Sequence, residues 1–218
     1  MHYWIRMASV KIIDLVLHGK ATRSYNPPLY MPTCSKLSLE PSQISCNSMN
    51  SSRISLRPFK LSDANDFLKW ASDDKVTRYL RWNTITSREE ALTYIDKLAT
   101  HPWRQSICLD DQSIGYVSVK PEQGDDTCRA HVSYVVSAEY WGQGIATVAL
   151  SMAMCRVFRE LPCLVRIEAL VEVENKGSQR VLEKVGFLKE GLLRKYGYCK
   201  GEIRDMFIYS FLSTDKIM

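Results

Sequence analysis

The residues best suited to chemistry form a glycine-rich turn, Gly142-Gln143-Gly144, which lies between an alternating apolar segment and a predicted helix. The amide N–H groups at a helix N-terminus lack intrahelical partners and carry the positive end of the helix dipole, so they bind phosphate. Glycines let the backbone approach pyrophosphate oxygens without a Cβ in the way. From these residues alone, a phosphate site and a simple strand-to-helix turn are equally good interpretations.

Two common phosphate motifs do not match this turn. The phosphate loop of nucleoside triphosphatases needs Gly-Lys followed by Ser or Thr, whereas Gly144 is followed by Ile145 and Ala146. The dinucleotide fingerprint needs a third glycine, which is missing here. If the turn holds a cofactor, that cofactor is of another phosphate-containing kind.

Residue patterning surrounds the turn with a mixed α/β domain over residues 53–214. An alternating strand over residues 130–136 leads into the turn, and apolar spacing predicts a helix over residues 145–158 after it. Residues 177–185 are predicted to form a helix that ends at Gly186, a residue type common at helix C-caps. The predicted order is strand, helix, helix, three strands, helix, strand, helix and two strands, with helices on both faces of the sheet.

The first 52 residues differ in composition from the rest of the chain. They contain nine serines, the Pro27-Pro28 pair, and five Lys or Arg against two acidic residues. We expect residues 1–52 to be a disordered or weakly ordered extension, because little in them could pack. Their balance fits a plastid or mitochondrial transit peptide, and an upstream start or simple tail fits equally well. The expected location is therefore cytoplasmic, with a plastid or mitochondrion as the alternative.

Composition argues against several partner classes. The formal net charge is +5, but residues 53–218 hold 24 basic and 22 acidic side chains, without the basic stripe typical of nucleic-acid binders. No apolar run approaches the roughly 20 residues that span a bilayer. The seven cysteines lack the closely spaced pairs of zinc sites. We expect no nucleic acid, no membrane and no metal as partners, and a reducing compartment.

Two ordered blocks resemble a known family. Residues 130–146 resemble the acetyl-CoA signature of the GNAT acetyltransferase superfamily, with its RimJ/RimL-like branch as the nearest match. Residues 175–191, which include Asn175-Lys176-Gly177-Ser178 and Val185-Gly186-Phe187, resemble the downstream motif of that branch. The resemblance covers about residues 53–213. It implies an α/β fold with a GNAT-like mixed, mostly antiparallel central sheet flanked by helices, and acetyl-CoA as the co-substrate.

The resemblance also implies a set of site residues. Asn175 would contact the pantetheine arm of the cofactor, and Ser178 would protonate the departing thiolate or, alternatively, simply bond to backbone. Val135 and Val136 would pair with the pantetheine arm along their strand. The pyrophosphate would be held by the backbone amides of Gly142, Gln143, Gly144, Ile145, Ala146 and Thr147.

Three residues depart from the wider family pattern. Trp141 stands where Gln or Arg is common, and Leu182 stands where many members have a tyrosine acid. His131 occupies a strand position that is often Glu. An imidazole exchanges protons near neutral pH, so His131 is a candidate general base. A histidine bonded within the sheet, with a water relay in place of a base, is the competing interpretation.

The acceptor side is predicted from the segment between the first two helices. There the family forms its acceptor wall, which would include Tyr79, Arg81 and Trp82, whereas Trp70 is expected to pack in the core. The predicted activity is acetyl transfer to a primary amine by direct attack in a ternary complex. The acceptor remains open among protein N-termini, lysine side chains and small amines. The alternative is a non-catalytic acyl-CoA-binding or interaction module with the same fold.

Overall fold

The computed structural model describes residues 53–99, 101 and 103–218. The predicted extension over residues 1–52 lies outside these residues. Among the described residues, the helices are α1 (Ala64–Ala71), α2 (Asp74–Thr77), α3 (Arg88–Ala99), α4 (Ile145–Glu160) and α5 (Lys176–Val185). The strands are β1 (Ile54–Arg57), β2 (Arg104–Leu109), β3 (Gln112–Pro121), β4 (Arg129–Val136), β5 (Arg166–Glu172), β6 (Leu188–Cys199) and β7 (Glu202–Leu212).

These strands form one sheet in the order β1-β2-β3-β4-β5-β7-β6. Every neighbouring pair is antiparallel except β4 and β5, which run parallel. The prediction of a mixed, mostly antiparallel sheet is confirmed. Two elements differ from what the sequence predicts. The helix α2 was not expected, and the strand that apolar patterning predicts over residues 187–193 continues to Cys199 as β6.

Alternation along β4 separates the two faces of the sheet. Ala130, Val132 and Val136 pack in the core that includes α4, whereas Val135 packs with α1 and α3 on the opposite face. Helices therefore cover both faces, as predicted. We refer below to the α4 face and to the α1/α3 face of the sheet.

The parallel pairing of β4 with β5 is short. The two strands pair at three positions only, the last of which joins His131 to Glu168. Past that point β4 continues to Val136 and β5 continues to Glu172, but the two strands no longer pair with each other. The strands therefore open into a wedge whose closed end lies at the His131–Glu168 pair.

The far end of β4 is held in place by β3. Gly115 pairs with Val136, and a Cβ built on Gly115 would lie 2.1 Å from the carbonyl oxygen of Val135. No such separation is possible between non-bonded atoms, so only glycine permits this approach of the two strands. The end of β4, from which the glycine turn departs, depends on that contact.

We expect Gly115→Ala to lower the free energy of unfolding by about 1–3 kcal/mol, because the new methyl group must push the two strands apart. Gly191→Ala is the matched control, since a Cβ there meets no atom within 4 Å. Its effect should stay within about 0.5 kcal/mol. Denaturant titration of both variants measures the difference, and equal effects would contradict the steric explanation.

Candidate active site

The glycine turn adopts a backbone that suits its predicted role. Gly142 and Gly144 have φ angles of 77° and 79°, a left-handed conformation that side chains rarely adopt. Gly144 is the N-cap residue of α4, and no side chain caps this helix. Its first turn also contains no acidic residue. The amides that open α4 thus lack an intrahelical acceptor and present a positive dipole end, as an anion site requires.

Trp141 fixes the approach to this turn. Its side chain is 53% exposed, yet its indole Nε1 donates a hydrogen bond to the carbonyl oxygen of Val136 at 2.7 Å. The backbone amide of Trp141 donates to Ala138 at 3.1 Å, and the Gln143 side-chain amide donates to the carbonyl of Glu139 at the same distance. The turn is therefore tied to the end of β4 by side chains, while its own amides stay free of side-chain caps.

A second helix begins on the other side of the wedge. Asn175 is the N-cap residue of α5, and its Oδ1 accepts a hydrogen bond from the amide of Ser178 at 3.1 Å. Gln179 fastens the preceding connection, because its Nε2 donates to the carbonyl of Val173 at 2.8 Å. The predicted pyrophosphate turn and the Asn175–Ser178 segment thus follow the open ends of β4 and β5, respectively.

Tyr134 links these two sides and was not singled out from the sequence. Its hydroxyl lies 2.7 Å from Ser178 Oγ and 3.0 Å from the Ser178 carbonyl oxygen. Burial raises the pKa of the Tyr134 phenol above its ordinary value. Strand alternation could have placed Tyr134 on the α4 face, but its contact with a residue 44 positions away could not be derived from the sequence.

His131 lies elsewhere. It is on the α1/α3 side of β4 by alternation, at the closed end of the wedge, where its Nε2 is 3.0 Å from Glu122 Oε1 and 3.8 Å from Glu168 Oε2. The structure therefore does not bring His131 and Ser178 together. Neighbouring arginines complete an ion network, in which Glu168 also contacts Arg129 and Arg166.

That network extends across the sheet towards its edge. Arg166 bonds Glu190 at 2.9 Å, and Ser210 donates to the same carboxylate at 2.7 Å. The hydrogen bonds from Arg166 and then Ser210 lower the pKa of Glu190 to about 2. Because Glu168 contacts Arg166 as well, the closed end of the wedge is joined to β6 and β7. His131 lies beside this group of charges, in contact with the carboxylates of Glu122 and Glu168.

The predicted acceptor segment contacts the β6–β7 hairpin. Cys199, at the end of β6, donates its thiol to the carbonyl of Leu80 at 3.9 Å, and burial raises the pKa of that thiol. The buried carboxylate of Glu172, at the open end of β5, lies 3.7 Å from Arg204 Nε on β7. Two elements distant in sequence thus meet beside the end of β5, on the side where an acceptor is expected.

The three predicted acceptor residues have different surroundings. Tyr79 is half-buried and Arg81 is exposed. Trp82 packs into an aromatic cluster, with ring centroids 5.2 Å from Tyr94 and 6.2 Å from Trp70. Trp70 is 2% exposed, so its predicted core position is confirmed. A groove of about 350 Å³ lies beside the end of β5, lined by Val173, Glu174, Lys195, Ile203, Arg204 and Asp205.

Neither a metal cluster nor a membrane span is found in the described part of the chain. Residues 53–99, 101 and 103–218 contain no group of three or more His, Cys, Asp and Glu side chains that could hold a metal ion. Within the same residues, no helix is long and apolar enough to cross a membrane.

Comparison with known proteins identifies the family. Residues 53–188 match the model of the acetyltransferase (GNAT) domain. The chain is 32% identical over 173 residues to a Bacillus licheniformis protein named uncharacterized N-acetyltransferase p20, covering 75% of this chain and 94% of that protein. The chain therefore belongs to the GNAT acetyltransferase family, a family of acyltransferase enzymes.

Solved structures agree with this assignment. A GNAT-family acetyltransferase from Bacillus anthracis has the same fold, with a TM-score of 0.68 at 24% identity over 75% of this chain and 96% of that one. Mycobacterium smegmatis RimJ in complex with CoA-disulfide has a TM-score of 0.63 at 27% identity, over 73% of this chain and 82% of that one. The RimJ neighbour and the family match confirm the predicted RimJ/RimL-like branch.

A charge placed in the first turn of α4 tests the candidate cofactor site. In Thr147→Glu, the carboxylate would repel a pyrophosphate at the turn, so affinity for CoA should fall at least about tenfold. The same carboxylate suits the dipole at a helix N-terminus, so the free energy of unfolding should stay level or rise by about 0.3–1 kcal/mol. Calorimetric titration with CoA and denaturant unfolding measure the two effects.

Thr147→Gln is the matched control, because glutamine has nearly the same volume as glutamate but carries no charge. It should bind CoA several-fold more tightly than Thr147→Glu. Equal losses in the two variants would indicate a steric effect, and unchanged CoA affinity in both would place the pyrophosphate away from this turn.

Proposed function

We propose that the protein transfers an acetyl group from acetyl-CoA to a primary amine by direct attack in a ternary complex. The observation that carries the proposal is the uncapped amide row at the start of α4, directly after the open end of β4. Because the turn and Asn175 follow the two diverging strands, a pantetheine arm leaving the turn would enter the wedge between them. Val135 and Val136 would line one wall of that wedge.

The reaction needs no covalent enzyme intermediate. The amine lone pair attacks the thioester carbonyl carbon, the C–S bond breaks, and the sulfur leaves with the bonding electron pair, assisted by Ser178 or water. The nitrogen loses its extra proton to His131 or water. Backbone amides polarise the carbonyl oxygen as negative charge develops on it. Since the acyl group is already activated, positioning of the two substrates supplies much of the rate enhancement.

The acceptor would approach from the α1/α3 side of the wedge. There the segment that contains Tyr79, Arg81 and Trp82 meets the β6–β7 hairpin through the Leu80–Cys199 bond. A protein N-terminus, a lysine side chain or a small amine such as a polyamine all satisfy the chemistry. We favour a protein N-terminus or a small amine as the acceptor.

An amine panel tests this function. Purified protein and acetyl-CoA are incubated with a peptide bearing a free N-terminus, an N-blocked lysine peptide and a polyamine, and release of the CoA thiol is followed. We expect acceptor-dependent release with at least one of these, and mass spectrometry of an incubated lysate then identifies acetylated molecules. Thermal stabilisation by CoA without turnover on any acceptor would favour the non-catalytic binding module instead.

The role of His131 is tested separately. If its imidazole takes a proton from the substrate ammonium and so frees the attacking lone pair, His131→Gln should lower kcat/KM about 100-fold and remove the low-pH limb of the kcat/KM profile. The control is Glu122→Gln, which removes a partner 3.0 Å away but keeps the imidazole. That variant should retain most of the activity. If kcat/KM is unchanged in His131→Gln, His131 is not the general base and water accepts the proton.

A further inference from the structure

Tyr134 and Ser178 form a hydrogen-bonded pair across the wedge. The phenol oxygen is 2.7 Å from Ser178 Oγ and 3.0 Å from the carbonyl oxygen of the same residue. A phenol has one hydrogen, so it can donate to only one of these acceptors at a time. If it donates to Oγ, the serine hydrogen is free for another acceptor. If it donates to the carbonyl oxygen, the serine hydroxyl can donate its own hydrogen bond to the phenol oxygen.

Both ends of this pair are held firmly. Tyr134 packs its ring against the core of the α4 face, and Ser178 has its amide bonded to the N-cap side chain of Asn175. In the described part of the chain, both recorded hydrogen-bond partners of the phenol belong to Ser178. The main freedom left at this contact is therefore the rotation of the two hydroxyl hydrogens.

The charge state of the pair limits what it can do. Burial raises the pKa of the Tyr134 phenol, so it stays protonated at neutral pH. A buried phenol whose pKa is raised and an aliphatic alcohol are both weaker acids than a thiol, so neither hydroxyl would readily give up its proton to a thiolate. Donation of a hydrogen bond to sulfur carries no such cost, and it favours the charged form of the thiol.

We propose that Tyr134 is a positioning residue: by donating its hydrogen to Ser178 Oγ, it directs the serine hydrogen to the sulfur of coenzyme A. This role rests on the proposed function. As the C–S bond breaks, the electron pair goes to sulfur, and the serine O–H stabilises the thiolate by a hydrogen bond. The sulfur is protonated afterwards by water, while the nitrogen gives up its extra proton to His131 or water. Tyr134 and Ser178 keep their own protons throughout.

A binding measurement isolates this role from turnover. The thiolate absorbance of bound CoA is followed against pH, and desulfo-CoA, which lacks the sulfur, reports binding of the rest of the cofactor. In the wild-type protein the pKa of the bound CoA thiol should fall about one unit below that of free CoA in solution. Ser178→Ala should abolish this shift and Tyr134→Phe most of it. Affinity for desulfo-CoA should stay within about twofold in both.

Tyr209→Phe is the matched control. Tyr209 is also buried and also bonds to α5, donating to Glu183 Oε1 at 3.1 Å, but among the described residues it makes no hydrogen bond to Ser178. Loss of the Tyr209 hydroxyl should leave the fall in the pKa of the bound CoA thiol unchanged. In kinetics, Tyr134→Phe should lower kcat about tenfold with little change in the KM for acetyl-CoA. The double variant with Ser178→Ala should be no slower than Ser178→Ala alone.

The outcomes distinguish failure of the positioning role of Tyr134 from failure of the proposed acetyltransferase function. The positioning role would be overturned if Tyr134→Phe lowered the pKa of the bound CoA thiol as much as the wild-type protein does. It would also be overturned if the variant lost affinity for desulfo-CoA together with its effect on the thiol pKa. The positioning role would also be overturned if the wild-type protein bound desulfo-CoA but did not lower the pKa of the CoA thiol. That result would leave cofactor binding in place. Failure of the wild-type protein to bind desulfo-CoA would overturn the proposed function itself, and this role with it.

Discussion

Beyond the His131–Glu168 pair, β4 and β5 no longer share a ladder of hydrogen bonds, although both strands continue for several residues. Backbone N–H and C=O groups that lose a strand partner need another one. Some find it within the protein, as when the Val136 carbonyl accepts the Trp141 indole. The rest of the candidate site is arranged around this opening, because each strand ends beside the start of a helix.

The opening is held at both ends by different kinds of interaction. At the closed end, charges on β4, β5 and β6 join through Glu168 and Arg166. At the open end, a neutral hydrogen bond between Tyr134 on β4 and Ser178 on α5 crosses the wedge. Ion pairs at a partly exposed rim are screened by salt, whereas a hydrogen bond between two neutral hydroxyls depends little on it. Added salt should therefore weaken the ion pairs around Glu168 more than the Tyr134–Ser178 contact.

Sequence patterning predicted the order of the main elements, because alternation, apolar spacing and glycine turns are local signals. The family was indicated by the resemblance of residues 130–146 and 175–191 to its motifs. Patterning did not predict α2, a single helical turn after Asp73, or the length of β6. The second half of β6 has little local strand signal and forms by pairing with β7, for example Tyr198 with Ile203. Contacts such as Tyr134 to Ser178 depend on how distant segments pack, so they are not encoded at any one place in the chain. The roles of the site residues remain predictions.

The uncapped start of α4 has an evolutionary consequence. A cofactor held by main-chain amides makes few demands on side-chain identity, provided that Gly142 and Gly144 can keep their left-handed backbone. The segment around residues 79–82 packs on the α1/α3 face of the sheet, whereas the turn opens α4 on the opposite face. If the turn holds the cofactor as proposed, residues of that segment could change while the main-chain amides of the turn stay in place. One donor site would then serve different acceptor preferences.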